Sequence, residues 1–201
     1  MRGKSVFVHP RALVESRTIG SGTRVWAFAH VMAGARVGRD CNIGGHCFIE
    51  QGAVIGDRVT IKNYVAVWNG VRIEDDAFIG PQASLTNDRW PRSRNPDYVL
   101  LTTDIRRGAT VGANATLLGG ITIGRYAFIG AGGVVTTSVL DHELVVGNPA
   151  RHRGWVCRCA CPLTFHRGRA TCPACHLAYV QRSGRIQCLS AAAARARRLL
   201  G

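Results

Sequence analysis

Long apolar runs are missing from this chain of 201 residues. No stretch approaches the roughly 20 consecutive apolar residues of a membrane helix. The opening Met1-Arg-Gly-Lys leads into a short mixed segment, so no secretory leader is expected. Acids are scarce and unevenly placed. There are 12 Asp and Glu against 26 Lys and Arg, a net charge of +14, and the last acid is Glu143. Residues 1–150 hold sixteen cations and twelve acids, whereas residues 151–201 hold ten arginines and no acid. That shift places a domain boundary near Ala150 to Trp155. A cationic end can bind nucleic acid or an acidic surface. This one lacks the interleaved aromatics that stack bases, so nucleic acid is not an expected partner. With no leader and no membrane span, the chain is expected in the cytoplasm. Its eight cysteines are then expected to be reduced or metal-bound.

What the chain does have is a repeat. From Leu13 an aliphatic residue recurs every six positions, as Ile19, Val25, Val31, Val37, Ile43, Ile49, Ile55, Ile61, Val67, Ile73, Ile79 and Leu85. The series resumes as Ile105, Val111, Leu117, Ile123, Ile129 and Val135. Four residues after most anchors the side chain is small, as at Ala29, Ala35, Cys41, Cys47, Ala53 and Ala109, and Gly often follows the anchor directly. A period of six fits neither an α-helix nor an alternating strand. It fits a solenoid in which each hexad is one short strand and a corner, with anchor and small residue inside and glycine easing the tight corner. Three hexads close one triangular coil, and coils stack at about 4.8 Å. Cys41 and Cys47 fall on the small inward position and read as core thiols.

The pattern resembles the hexapeptide-repeat acyltransferases over roughly residues 5 to 155. That resemblance implies a left-handed parallel β-helix, a handedness the period alone does not supply. The expected fold is therefore all-β. It comprises a β-helix over 1–150 with a loop at about 86–104, a zinc-ribbon-like domain over 151–189, and a short helical Ala/Arg tail over 190–201.

Two cysteine pairs carry the ribbon expectation, Cys157-Arg-Cys159 and Cys172-Pro-Ala-Cys175. Hairpins can form at Phe165–Arg169 and Tyr179–Ile186. Thiolate pairs on hairpin knuckles suit tetrahedral Zn²⁺ in a structural role, since four thiolates leave no open position. Cys161 could replace Cys157 or Cys159, and His166, His176 and Cys188 are lesser candidates.

The hexads break between Leu85 and Ile105, a gap of twenty that is not a multiple of six, so part of it must leave the coil. Pro91 and Pro96 prevent regular pairing there. Loops on rigid scaffolds commonly carry function, and this one holds Trp90, Tyr98 and three arginines. The stretch Asp75-Asp76, Phe78-Ile-Gly-Pro81, Thr86-Asn-Asp88 and Pro91-Arg-Ser93 resembles the subfamily that acylates amino groups on nucleotide-linked sugars. Gly112–Leu117 and Gly130-Ala-Gly132 continue the resemblance.

It implies an acetyl-CoA-dependent N-acetyltransferase acting on a dTDP- or UDP-linked 3-amino sugar, assembled as a homotrimer with CoA between prisms. Asn87 is then the first catalytic candidate, donating to the thioester oxygen or fixing the sugar. His46, which should face outward, is a candidate base, and His30 is a weaker one. Asp88, Trp90, Arg92 and Arg94 are candidate substrate contacts. Gly119, Gly120, Ala131 and Gly132 are candidate backbone contacts to CoA, with Arg125 and Arg151 for its phosphates. Other readings keep the fold but change the class: an inactive scaffold or zinc-ribbon binding module, a different acyl donor or acceptor, or a three-histidine metalloenzyme. The last suffers because His30 and His46 lie sixteen apart rather than eighteen.

Overall fold

The computed structural model describes residues 5–189. The tail at 190–201, with its expected helix, lies outside the described residues. The hexads wind into a three-sided solenoid, the left-handed parallel β-helix. Strands of mostly two residues repeat in cyclic order over three faces. Face one carries strands such as Arg24–Val25, Asn42–Ile43 and Thr60–Ile61. Face two carries His30–Val31, Phe48–Ile49 and Ala66–Val67, and face three Arg36–Val37 and Val54–Ile55. These pair in parallel, residue to residue at a separation of eighteen, as Asn42 with Arg24 and with Thr60, except at the first coil, where Phe7 meets Arg24 and Leu13 meets His30 at seventeen.

The anchors and small residues fill one continuous core from Val25 to Val145. Ile43, Ile49, Ile61 and Ile79 are fully buried, each worth about 1.5–3 kcal/mol of transfer free energy. Cys41 and Cys47 are core thiols as expected, donating to the Gly56 and Lys62 carbonyls at 3.0 Å each. Burial pushes the Cys47 thiol up to about 11 and raises Cys41 as well. Leu13 is not an inward anchor: it pairs with the outward His30 and is 55 % exposed, while Val14 pairs with the anchor Val31 and packs against the core.

The glycines after the anchors serve a purpose other than the expected one. They do not hold a left-handed backbone. A Cβ at Gly38 would lie 2.4 Å from the Gly56 carbonyl, and one at Gly112 would lie 2.5 Å from the Ala131 nitrogen. They exist so that successive coils can touch. The left-handed residue of each corner falls three places after the anchor. The corner between faces one and two holds Phe28, His46, Tyr64, Gln82, Asn114 and Gly132. The corner between faces two and three holds Gly34, Gly52, Gly70 and Gly120. The corner between faces three and one holds Asp40, Arg58, Asp76, Gly108, Tyr126 and His142.

Across the break, Val71 pairs with Thr103 and Phe78 with Thr110, a separation of 32 in place of eighteen. Fourteen residues are therefore extruded, all at the second corner. The loop is shorter than the expected 86–104. The Leu101 amide donates to the Asn87 carbonyl at 3.0 Å, and Thr103 is already a buried strand residue.

The helix keeps adding rungs beyond the isolated bridge at Val139. Glu143–Val146 adds a parallel rung to face one, and Arg151–Val156 turns back antiparallel beside it. A second apolar core then forms around Cys157, Leu163, Cys172, Tyr179 and Ile186. Both expected hairpins are present. His166 and Arg169 bracket one two-residue turn and Arg182 and Arg185 the other, each with two left-handed residues at its tip.

Candidate functional site

The second corner is where the fold and the unusual sequence meet. The strand Ser84–Leu85 ends, and the Thr86 hydroxyl accepts the Gly119 amide at 2.9 Å. A Cβ at Gly119 would lie 3.0 Å from the Thr86 carbonyl, so a glycine lets the next coil pass under the loop base. Asp88 accepts the Trp90 amide at 2.9 Å and Asn95 that of Asp97 at 3.0 Å, two Asx turns that shape the excursion. Trp90 stands 76 % exposed with the Arg89 guanidinium 5.9 Å from its ring centre.

Between this loop and the prism lies a cleft of about 480 Å³. Asp88, Trp90 and Val99 line one side and Gly119, Gly120 and Thr136 the other. The structure thus brings together two predicted substrate residues and two predicted cofactor glycines. Asn87 sits at the loop base, half-buried, with its Nδ2 donating to the Asn69 carbonyl at 3.2 Å. Arg92 and Arg94 are exposed and do not line the cleft, and the Arg92 guanidinium donates to the Pro91 carbonyl at 3.1 Å.

Reading the sequence missed Asn69 and Glu50. The Glu50 carboxylate accepts the Asn69 amide at 2.7 Å, and the Asn69 side chain lies over Gly52. A signal existed: Asn69 precedes Asn87 by eighteen, one full coil.

Other predicted residues lie at other corners. His46 faces outward, as expected, at the first corner. It stacks between Phe28 and Tyr64, each 4.8 Å from its ring, and helps line an open groove of about 630 Å³ with Trp26 and Lys62. His30 pairs with Glu15 at 2.9 Å on face two. Ala131 and Gly132 lie on the coil that ends the first corner's column. Arg151 follows the turn at Gly147, whose carbonyl accepts the Val134 amide at 2.9 Å. Arg125 lies at the third corner. A single prism therefore does not gather the expected CoA residues: only Gly119 and Gly120 share the cleft.

The acidic pair in the motif is structural. Asp75 accepts the Asp57 amide at 2.9 Å. Asp76 binds Arg58 and Arg107 at 2.6 and 2.9 Å, and the Arg58 hydrogen bond holds its carboxyl below the ordinary range.

The C-terminal cysteines converge. The sulfurs of Cys157, Cys159, Cys172 and Cys175 all lie within 4.8 Å of one another. Four thiolates around Zn²⁺ at about 2.3 Å would stand about 3.8 Å apart, so the cluster fits that ion. Cys161 is outside the set, its carbonyl accepting the Cys157 amide at 2.8 Å. The Tyr179 hydroxyl donates to Cys157 Sγ at 3.0 Å. Burial raises the Cys172 thiol, but the amides of Cys175 and Ala174 and the Cys157 and Cys159 thiols outweigh it, bringing Cys172 to about 6. Such knuckle N–H donors favour a thiolate.

Comparison with known proteins agrees with this architecture. Residues 18–51 and 52–87 match the bacterial transferase hexapeptide family of six repeats, and 105–137 match the hexapeptide repeat of succinyl-transferase. The dTDP-3-amino-3,6-dideoxy-alpha-D-galactopyranose 3-N-acetyltransferase of Aneurinibacillus thermoaerophilus is 44 % identical over 169 residues, covering 84 % of this chain and 88 % of that protein. The bifunctional protein GlmU of Alkalilimnicola ehrlichii is 28 % identical over 165 residues. That match covers 76 % of this chain but only 35 % of GlmU. Among solved structures, a mutant perosamine N-acetyltransferase from Caulobacter crescentus, in complex with CoA and GDP-perosamine, superposes with a TM-score of 0.50 at 25 % identity. The match covers 76 % of this chain and 58 % of that one.

Proposed function

The chain belongs to the bacterial hexapeptide-repeat transferases, and from that membership we propose that it moves an acetyl group from acetyl-CoA to the amine of a nucleotide-linked 3-amino sugar. The observation that carries the reading is the cleft in which Asp88 and Trp90 of the loop face Gly119 and Gly120, with the Asn87 backbone against Gly119 at its base. The 44 % identity to a dTDP-3-amino sugar N-acetyltransferase supports the substrate class.

The chemistry asked of the site is modest. The neutral amine attacks the thioester carbonyl, the C–S bond breaks, CoA leaves as thiolate, and the amine proton passes to that thiolate or to a base. Asn87 holds the reacting carbonyl oxygen or the sugar by its amide N–H, aligned by Asn69 and Glu50. Asp88 and Trp90 border the sugar, Arg92 and Arg94 meet the diphosphate, and the bare Gly119–Gly120 backbone admits pantetheine. A cyclic trimer joins unlike surfaces at every interface. The loop corner of one copy then faces the first corner of its neighbour, which supplies His46 as base and Ala131, Gly132 and Arg151 as further CoA contacts.

In this reading residues 1–150 are the catalytic unit, in the cytoplasm. Residues 151–189 are a ribbon whose four cysteines hold a structural Zn²⁺, closing its shell without an open position. The test is product analysis by mass spectrometry after incubation with acetyl-CoA and dTDP- and UDP-linked 3-amino sugars. An N-acetylated sugar is expected from one of them. No product from any, with the trimer intact by sedimentation, overturns the reading.

A further inference from the structure

The third corner carries a column of charge. Arg39 pairs with Asp57 at 2.8 Å, Arg58 with Asp76 and Asp75 at 2.6 and 3.3 Å, and Arg107 with Asp76 at 2.9 Å. Opposite signs on neighbouring rungs stabilise a sheet edge, and like signs oppose it. Lower down the alternation fails. Arg107 and Arg125 occupy successive rungs, since the Tyr126 amide donates to the Arg107 carbonyl at 3.0 Å. The next cation, Arg158, comes from the ribbon and lies over the Tyr126 ring, 5.2 Å from its centre.

One carboxylate is present, Asp141, and it accepts the Arg125 amide at 2.7 Å. Arg107 is already turned toward Asp76. No ion pair among the described residues engages the guanidinium of Arg125 or Arg158. These groups border a cleft of about 450 Å³ between the prism and the ribbon, with Gln187 on the ribbon side. His142 forms another wall, stacked on Tyr126 at 5.2 Å, its Nδ1 3.0 Å from the Val156 carbonyl. Burial pushes its pKa down, so it contributes shape while the arginines contribute charge.

We propose that this cleft binds the phosphate of a small phosphorylated molecule, held by Arg125 and Arg158 with Arg107 at its edge. The guanidinium fork matches phosphate oxygens, and the volume is that of a small-molecule site. An anion here meets the guanidinia of Arg125 and Arg158 against the single carboxylate of Asp141 in the cleft lining. The phosphate has two sources, the 3′-phosphate of CoA or a separate phosphorylated metabolite. The inference stands apart from the acyl-transfer reading, because binding is measured without turnover.

The experiment is calorimetric titration of the full, metal-replete protein with inorganic pyrophosphate at fixed ionic strength, with chloride as control. Saturable binding is expected, weakened at least tenfold in Arg125→Gln, in Arg158→Gln and in Gln187→Asp. Circular dichroism and melting check that each variant is folded. A wild-type protein that binds no better than the chloride control overturns the proposal, as does equal binding in all three variants. The source is read from dissociation constants for CoA and 3′-dephospho-CoA. A loss on dephosphorylation that vanishes in Arg125→Gln assigns the cleft to CoA. Equal affinities, with pyrophosphate and CoA binding together, assign it to a separate metabolite.

Discussion

Gly34 and Gly52 occupy the same column of the second corner with the same backbone, φ +83° and +84°. Alanine at either position must adopt a left-handed conformation, at about 1–2 kcal/mol. For a chain of this size that is a fall of roughly 2–8 °C in melting temperature. The two sites differ in what the new methyl meets. At Gly34 it lies 3.0 Å from Gln51 Cγ, part of a flexible exposed chain that can move. At Gly52 it would lie 2.2 Å from Asn69 Oδ1, so Asn69 must shift. Asn69 holds the Asn87 side chain through its main-chain carbonyl and is itself held by Glu50 through its main-chain N–H, so a shift that reaches the Asn69 backbone moves Asn87. A displacement near 1 Å at a reacting group can cost about a hundredfold in rate. Gly34→Ala should therefore lose stability and keep its turnover. Gly52→Ala should lose at least as much stability and ten- to a hundredfold in kcat. Melting curves and steady-state acetyl transfer on both variants decide it. Equal turnover in the pair would refute the claim that Glu50 and Asn69 position Asn87.

Asn87→Ala should cut kcat by about a hundredfold, the scale of one lost oxyanion donor, without changing the melting temperature. Near-normal turnover would remove Asn87 from the reaction. Chelation should melt the ribbon over residues 155–188 and spare the β-helix, because its core is small and its four thiols cannot pack well without an ion. Hydrogen exchange would show this, and metal analysis finding no zinc in protein purified without chelator would contradict it. His142 is held below its ordinary 6.5 by burial. Its contribution is present above about pH 6.5 and lost as the pH falls through the lower folded value, where only the unfolded chain readily takes the proton. Urea midpoints should fall through that window in the wild type and less steeply in His142→Gln.

Much of this was legible because a solenoid core repeats at a fixed interval. The anchors announce the inward face, and the remainder of the gap modulo six announces the excursion. Thiol spacing likewise found the four clustered cysteines. What stayed hidden depends on which residues share a corner. Residues eighteen apart are vertical neighbours, so Asn69 and Asn87 meet. Arg125 is only five residues after Gly120 yet lies one corner further on. Spacing in the chain made Gly120, Arg125 and Gly132 look like one site, and the prism sends them to three corners. The glycines after the anchors were found for the wrong reason, since steric contact between coils leaves no mark distinct from turn geometry. Asp75 and Asp76 looked like part of a functional motif, and their carboxylates are consumed in binding neighbouring coils.

The most direct measurement is thiol release from acetyl-CoA with matched pairs of dTDP- and UDP-linked sugars, each pair differing only in an amine or a hydroxyl at carbon 3. The account predicts rapid release with one 3-amino sugar and none with its hydroxyl partner. Equal release from both, or silence across the whole set with a folded trimer, would contradict it.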